Sequence, residues 1–383
     1  MQNVIFDDDL RIPIKSWVDE IENSALSQAR DLAILPFLYK WVALMPDCHA
    51  GYGMPIGGVV AASNVVSPNL VGVDIGCGVI AVKTSLEQIN TETIKKIMGK
   101  IRETIPVGFN HNKQPQPWDG FNLAPDIPII QQELTSSRKQ LGTLGGGNHF
   151  IEIQKGNDGY IWLMIHSGSR NFGLKTANEY NKKAIDLCKR WYVELPNKDL
   201  AFFPIEEKEG KEYMIAMKYC LNFAQANRSL MMEKLFDIFK TEVNAEILDE
   251  INIHHNYAAW ENHFGRNVIV HRKGATKATL ELKGIIPGSM GSNSYITEGL
   301  GNQDSFASCS HGAGRRMGRG EATRTLNLEE EQKKMEGIVH GLRTNADLDE
   351  SPGSYKSIDE VMKNQMDLTK ILVKLTPLAN IKG

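Results

Sequence analysis

Hydrophobic residues recur every three or four positions in several stretches of the chain, a spacing that predicts helices with one buried face. The predicted helices cover residues 17–34, residues 86–101 and a region from about residue 176 to residue 246 that is broken near 195–204. Methionines and phenylalanines between Met214 and Phe239 keep this helical spacing. We interpret them as core packing rather than as contacts to a cofactor.

Short apolar runs between turn residues predict β-strands. They occur as GVVAA and VIAVKT in and after the glycine-rich stretch 45–78, as HFIEI at 149–153, as YIWLMIHS at 160–167, and as several short runs within 251–296. Four prolines in residues 110–130 predict a long excursion or a lid. From residue 297 to the C-terminus we expect loops and short helices. Because strands and helices come in blocks rather than in strict alternation, the α+β class is favoured.

Composition narrows the classes of function without naming one. Apolar residues make up 42% of the 383 residues and charged residues 23%, which is typical of a globular protein. The net charge is -3, so a nucleic-acid partner would have to be bound by a local basic patch. The N-terminus lacks the basic start of a signal peptide, and the apolar runs are too short to span a membrane. Five cysteines without paired spacing predict reduced thiols and a cytoplasmic protein.

The chemically reactive residues are concentrated in short segments that are rich in glycine. Glycine allows a backbone to approach a ligand closely, and successive N–H groups in such loops bind anions. One loop of this kind is weak support for a binding site. Seven such loops are hard to explain as turns alone, because most of them contain histidine, cysteine, aspartate, asparagine, serine or arginine. The segments are 45–58, 72–78, 141–152, 166–173, 254–258, 285–296 and 308–319.

A set of five residues has the chemistry of metal ligands. Asp74 and Cys77, three positions apart, are by themselves also typical of a turn aspartate and a buried core thiol. His149, His166 and His255 each lie beside a turn or at a predicted strand edge, and together the five favour a metal site. A bridging thiolate would allow two ions, and the mixed donors suit zinc or manganese rather than calcium.

His311 differs from these histidines because it lies among glycines, close to Arg315 and Arg316. An imidazole nitrogen can attack phosphorus and carry a nucleotidyl group covalently, and the arginines could bind the phosphates. A metal-binding or structural role for His311 remains an alternative. Asp47 is a candidate for acid–base chemistry or for orienting a neighbour. We interpret His263 as a surface residue.

Taken together, these motifs resemble the RtcB family of RNA-splicing ligases, and they extend from residue 45 to the C-terminus. The resemblance implies one compact α+β catalytic domain over residues 1–383, with a central β-sandwich-like core surrounded by helices. It also implies the joining of RNA 3′-phosphate or 2′,3′-cyclic phosphate ends to 5′-hydroxyl ends, with GTP as cosubstrate. Some members of the family depend on an activating protein, Archease, and others do not.

The resemblance also assigns roles to single residues. Asp74, Cys77 and His149 would hold one Mn²⁺, and Cys77, His166 and His255 a second, with the thiolate bridging. His311 would become guanylylated, and Asp47 would assist it. The residues implied in nucleotide binding are Asn148, Glu152, Ser289, His311, Ala313, Gly314, Tyr355 and Lys382, and those implied in binding RNA phosphates are Arg170 and Arg315.

Two other functions fit parts of the same pattern. A binuclear metal phosphohydrolase would use the Asp, Cys and His set without a nucleotide intermediate, and it has no need of His311 or of Glu152 and Lys382 as guanine contacts. A non-catalytic RNA-binding protein would bind RNA without metal and without turnover.

Overall fold

The computed structural model describes residue 1 and residues 3–383. Seventeen strands are present in these residues: β1 (Asn3–Ile5), β2 (Ile14–Ser16), β3 (Leu38–His49), β4 (Ile56–Ala62), β5 (Val65–Val66), β6 (Gly78–Thr84), β7 (Phe150–Gly156), β8 (Ile161–Ser167), β9 (Phe203–Pro204), β10 (Ile247–His254), β11 (Asn256–His263), β12 (Arg266–Lys273), β13 (Ala275–Lys277), β14 (Lys283–Ile286), β15 (Ser294–Gly299), β16 (Ser308–Ser310) and β17 (Thr369–Lys382).

Eight α-helices accompany them in the described part of the chain: α1 (Asn23–Ala33), α2 (Thr91–Thr104), α3 (Pro128–Gln140), α4 (Arg170–Arg190), α5 (Lys208–Glu242), α6 (Arg319–Thr325), α7 (Leu328–Lys333) and α8 (Ile358–Lys363). The predicted helix at 17–34 begins later, at Asn23, because Trp17 is buried and its indole donates to Asp367. The helix expected from residue 86 also begins later, because the side chain of Asn90 caps it at Thr93. The break predicted near 195–204 separates α4 from α5.

A seven-stranded sheet in the order β10-β6-β8-β7-β17-β15-β14 curls until its two edge strands approach each other. Lys283 of β14 and Asp249 of β10 form an ion pair of 2.6 Å across this gap. Strand residues alternate in direction: Ile80 and Val82 face the helices α2 and α5, whereas Val79 and Ala81 fill the inside of the curled sheet.

A six-stranded sheet in the order β1-β2-β3-β4-β12-β11 forms the second half of the β core. One face packs on α1 through Val60 and Ala62, and the other, through Val59 and Ala61, packs on residues around α8. The pairs β13-β16 and β5-β9 complete the strands. The predicted α+β class, with a β core surrounded by helices, is confirmed.

Two local predictions change. The C-terminal segment, expected to hold only loops and short helices, ends in the 14-residue strand β17 between β7 and β15. Pro377, which cannot donate a ladder hydrogen bond, lies where the pairing with β7 shifts register. The segment 110–130, predicted to be a long excursion or a lid, packs against α5, because Trp118 and Phe121 contact Phe223 of that helix.

No helix among residues 1 and 3–383 is both long enough and apolar enough to cross a membrane.

Candidate metal and nucleotidyl-transfer site

Strand register brings the predicted metal ligands to one end of the seven-stranded sheet. Gly78 of β6 pairs with His254 of β10 and with Ser167 of β8, so Cys77 and His255 lie just beyond the ends of neighbouring strands. Phe150 of β7 pairs with His166 of β8, which places His149 in the same row. Ligands that are 178 residues apart in sequence, from residue 77 to residue 255, therefore meet because of the antiparallel ladder.

The five predicted ligands form a continuous series of contacts, which we call the ligand cluster. Nε2 of His149 lies 3.2 Å from a carboxylate oxygen of Asp74 and 3.4 Å from Sγ of Cys77. Sγ of Cys77 is 3.3 Å from Nε2 of His166, which is 3.4 Å from Nε2 of His255. The donor atoms of Cys77, His149 and His166 all lie within 4.8 Å of one another.

Hydrogen bonds outside the cluster orient its imidazoles. Nδ1 of His149 donates to the carbonyl of Leu144 (3.0 Å), and Nδ1 of His166 donates to the carbonyl of Asn148 (3.2 Å). These bonds fix the tautomer in which Nε2 carries the lone pair that can bind a metal.

The protonation equilibria of the cluster also fit a bound cation. Burial, together with neighbouring imidazoles, lowers the pKa of His166 and of His255 well below the usual value, so both rings stay neutral. Burial and the nearby Asp74 raise the pKa of the Cys77 thiol, so the thiolate needs a positive charge beside it. Within the described residues, Oδ1 of Asp74 and Nδ1 of His255 are buried without a hydrogen-bond partner. Unpaired polar atoms, neutral imidazoles and a buried thiol are what a metal site requires before binding.

His311 stands beside one end of this cluster. Its ring centroid is 4.7 Å from that of His255, and its Nδ1 lies 2.7 Å from Oδ2 of Asp47. The same carboxylate oxygen accepts hydrogen bonds from the backbone N–H groups of His311 (3.0 Å) and Gly312 (3.3 Å). Because Oδ2 acts as an acceptor, Nδ1 of His311 carries the hydrogen, and Nε2 keeps its lone pair. Asp47, fully buried in β3, thus orients an imidazole whose outer nitrogen keeps the lone pair that a nucleophile needs.

Glycines make room for these groups. A Cβ on Gly274 would lie 3.0 Å from Cε1 of His311 and even closer to Ile56, and the φ of this glycine is +60°. A Cβ on Gly168 would run into the carboxylate of Asp74. Gly168 lies in the predicted segment 166–173, and Gly274 lies outside the predicted segments.

Comparisons with known protein sequences show which family has this arrangement of residues. A family profile described as tRNA-splicing ligase RtcB matches residues 28–120 and 119–383. The chain belongs to the RtcB family. It is 35% identical to the RNA-splicing ligase RtcB of Escherichia coli K12 over 406 residues, which cover 97% of each protein. It is 30% identical to the tRNA-splicing ligase RtcB of Pyrobaculum aerophilum, over 97% of this chain and 95% of that protein. The RNA-splicing ligase RtcB of Mycobacterium bovis is 29% identical, over 93% of this chain and 100% of its own length.

Lys382, which the RtcB resemblance assigns to the nucleotide, borders a cavity of about 280 Å³. The lining also includes Gly383, as well as Gly147 and Met290, which are the neighbours of Asn148 and Ser289 in the sequence. Lys382 reaches this place because it pairs with Phe150 across β17 and β7, and Phe150 in turn pairs with His166 of the ligand cluster. Strand pairing therefore brings the end of β17 close to the ligand cluster.

Glu152 lies on β7, opposite Asn380 of β17. Its carboxylate accepts hydrogen bonds of 2.6 Å from the amides of Asn380 and Gln154. Burial raises the pKa of Glu152 to about 7, although these amides and Lys382 act in the opposite direction. Sequence reasoning did not find Gln154 or Asn380, because only the pairing of β7 with β17 brings Asn380 to Glu152.

The remaining predicted residues occupy varied surroundings. Ser289 shares a hydrogen bond of 2.9 Å with Ser292, and Ala313 is buried. The backbone carbonyl of Gly314 accepts from Lys356. Arg170, at the start of α4, donates to the hydroxyl of Thr143 (3.2 Å) and the carbonyl of Gly108 (3.3 Å).

The sequence analysis missed one residue of this region, and one of its interpretations is wrong. Arg315 and Tyr355 bind Glu350, a residue that the sequence did not single out. His263, expected at the surface, is buried, because its ring lies 3.0 Å from the carboxylate of Glu261 and 3.3 Å from the amide oxygen of Gln303.

Proposed function

We propose that this chain is an RNA ligase that joins a 3′-phosphate or 2′,3′-cyclic phosphate end of RNA to a 5′-hydroxyl end, with GTP and Mn²⁺, in the cytoplasm. Residues 1–383 would act as one catalytic domain. The observation that carries the proposal is His311, whose Nδ1 is held by Asp47 while its ring contacts His255 at the end of the ligand cluster. Membership of a family whose relatives are named RNA-splicing or tRNA-splicing ligases supports the same reaction.

In this proposal the ligand cluster holds two manganese ions. Asp74, Cys77 and His149 would hold one ion, and Cys77, His166 and His255 would hold the other. Two ions at such a site would neutralise phosphate charge and orient an in-line displacement. The neutral imidazoles and the unpaired carboxylate oxygen of Asp74 favour cation binding.

His311 performs the covalent step. Its Nε2 attacks the α-phosphorus of GTP, the bond to the β-phosphate oxygen breaks, and pyrophosphate leaves. The carboxylate of Asp47 stabilises the positive charge that develops on the ring, because it accepts the Nδ1 hydrogen at 2.7 Å. His311 thus carries GMP through a phosphorus–nitrogen bond.

The later steps use RNA as the acceptor. A cyclic phosphate end is first opened by water to a 3′-phosphate. An oxygen of this 3′-phosphate attacks the GMP phosphorus and releases His311, and the 5′-hydroxyl of the second RNA then attacks the activated 3′-phosphate and expels GMP. The 3′-phosphate of the first RNA is therefore the phosphate of the new junction.

The residues around the Lys382 cavity would bind the guanosine part and its phosphates. Glu152 and Lys382 would read the guanine edge, and Arg170 and Arg315 would bind RNA phosphates. Asn148, Ser289, Ala313, Gly314 and Tyr355 would complete the nucleotide pocket.

The test is transfer of label from α-³²P-GTP to the protein in the presence of Mn²⁺, read on a denaturing gel. We expect a labelled band for the wild type and for His340→Ala, a control at a partly buried histidine, but none for His311→Ala. Label that persists in folded His311→Ala would contradict the assignment of the nucleophile.

A binuclear phosphohydrolase would give a different outcome. It would release phosphate from RNA ends equally well in the wild type and in His311→Ala, and it would take no label from GTP. An Archease-type activator is a candidate partner, so the assay is run with and without one; label that depends on the activator would still support the ligase.

A further inference from the structure

One buried carboxylate at the cavity, that of Glu350, contacts three cationic side chains. Glu350 is 4% exposed. Its Oε1 lies 3.1 Å from Nη1 of Arg315 and 3.0 Å from Nη2 of Arg319. Its Oε2 accepts a hydrogen bond from the hydroxyl of Tyr355 and lies 3.9 Å from Nζ of Lys382.

The backbone fixes the position of this carboxylate. Glu350 is the last residue of a 3₁₀ helix, Asn345–Glu350, whose start is closed by a capping box between Thr344 and Asp347. The carbonyl of the preceding residue, Asp349, accepts a second hydrogen bond from Arg315, at 2.6 Å. Arg315 is therefore held at two points, by a side chain and by the adjacent backbone.

Glu350 also lines the cavity that Lys382 and Gly383 border. Three of its four partners, Arg315, Tyr355 and Lys382, have roles in nucleotide or phosphate binding in the proposed function. The groups expected to meet the ligand are thus already joined to one another through a single side chain.

Simple electrostatics explains why one carboxylate is needed there. Three long cationic side chains that converge on one small volume repel each other, and each loses rotamer freedom when it is held in place. A buried anion in the middle offsets the repulsion, and its two oxygens set the directions of the donors. Without it, the cations would spread toward solvent, and a ligand would have to order them again.

We propose that Glu350 is a positioning residue of the nucleotide site, whose carboxylate holds Arg315, Arg319 and Lys382 close together beside the cavity so that a guanine nucleotide meets all three. This inference rests on the proposed function, since it takes the cavity to be the GTP pocket. Glu350 acts through its partners.

Equilibrium binding of a GTP analogue tests the inference apart from catalysis. The α,β-methylene analogue of GTP cannot transfer GMP, so calorimetry with Mn²⁺ present measures its Kd directly. We expect Glu350→Gln to weaken binding at least about tenfold, because the neutral amide cannot hold three cations. Glu350→Asp, which keeps the charge on a shorter side chain, should recover part of the loss. Under labelling conditions, Glu350→Gln should raise the KM for GTP more than it lowers the maximal rate.

Glu331→Gln is the matched control. Glu331 is also buried and also ion-paired, with Lys334 at 2.5 Å, and it accepts a hydrogen bond of 2.6 Å from the backbone of Gly353. Its loss should lower the unfolding temperature yet leave the Kd for the analogue unchanged. A folded Glu350→Gln protein whose Kd stays within twofold of the wild type would overturn the inference.

If Glu350→Gln does not fold, a variant of Arg319, one of the side chains that contact Glu350, provides the test. Arg319 is half exposed, and its replacement leaves the core intact. Arg319→Gln should weaken binding of the GTP analogue about threefold. The same substitution should have a smaller effect in a Glu350→Asp protein, because the shorter carboxylate reaches Arg319 less well. An unchanged Kd in Arg319→Gln would count against the positioning role. If the wild type neither binds the analogue nor takes label, the proposed function itself fails, whereas normal wild-type behaviour with unaffected variants rejects only the role of Glu350.

Discussion

The ligand cluster and the cavity that Glu350 and Lys382 line, called the Glu350 cavity below, adjoin the same sheet, but their residues come from different kinds of chain segment. Four of the five ligands lie at or next to the ends of adjacent strands, where the register of β10, β6, β8 and β7 dictates that they meet. The charged groups of the Glu350 cavity come instead from loops and short helices between residues 315 and 350 and from the last residues of β17. A rigid ladder suits metal ligands, which need fixed distances. The long cationic side chains need a common anion to gather them.

This contrast predicts that single losses in the ligand cluster are far more damaging than losses around the cavity. Cys77→Ala removes the thiol whose Sγ lies 3.4 Å from His149 and 3.3 Å from His166. We expect bound Mn²⁺, measured by elemental analysis, and label transfer from GTP both to fall at least about a hundredfold. Cys220→Ala, at a buried cysteine in the core of α5, should keep both. Full metal content in Cys77→Ala would mean that the cluster is not the metal site.

Asp47 links the ligand cluster to the nucleotide through His311. Asp47→Asn keeps the size of the side chain but removes the charge that supports a developing imidazolium ion. We expect the maximal rate of His311 labelling to fall roughly tenfold to a hundredfold while metal content stays unchanged. A rate equal to that of the wild type would show that Asp47 is only structural.

Alanine substitutions at two glycines distinguish steric crowding of His311 from backbone strain. Gly274 and Gly265 have φ values of +60° and +74°, but only a Cβ on Gly274 would approach a described atom within 4 Å, and there it crowds the ring of His311. Both alanine variants should lose about 1 kcal/mol of stability through strain. Only Gly274→Ala should also slow labelling, by about tenfold or more. Equal labelling rates in the two variants would contradict the tight fit of the imidazole.

The last prediction concerns stability alone, at Glu152. Burial raises its pKa in the folded protein to about 7, above the ordinary value of 4.5. The folded state therefore holds a proton that the unfolded state releases between these values, so the carboxyl costs stability as pH rises from about 4.5 to about 7. The full cost is roughly 3 kcal/mol.

Glu152→Gln should flatten this part of the stability-versus-pH curve, measured by urea unfolding at several pH values. Glu206→Gln, at an exposed glutamate, should leave the slope as in the wild type. A slope that survives in Glu152→Gln would assign the titration to another group.

The two regions also differ in how much of each could be predicted from the sequence. Asp74, Cys77, His149, His166, His255 and His311 could be singled out because rare reactive residues stand in glycine-rich segments, and the structure brings all six together. Their individual roles stay predictions. Helices α1, α2, α4 and α5 and strands β4, β6, β7 and β8 were predicted from their hydrophobic patterns, whereas α3 was not.

The features that the sequence missed depend on distant pairing. Glu350 stands in an acidic stretch that is typical of a solvated surface, and it is buried only because Arg315 and Lys382 arrive from elsewhere in the chain. Scattered lysines in β17 and the proline at 377 concealed a strand, which exists because β7 and β15 pair with it on both sides. His263 is buried by Gln303 and Glu261, contacts that no local pattern shows.

The central claim is that His311 and the ligand cluster join RNA ends while keeping the 3′-phosphate in the product. The most direct measurement uses one RNA with a ³²P-labelled 3′-phosphate, a second RNA with a 5′-hydroxyl, GTP and Mn²⁺, followed by phosphatase treatment of the products. The account predicts that the label moves into a longer RNA and becomes resistant to phosphatase, with the wild type but not with His311→Ala. Label released as free phosphate by the wild type, without any longer RNA, would contradict the ligase and favour a hydrolase.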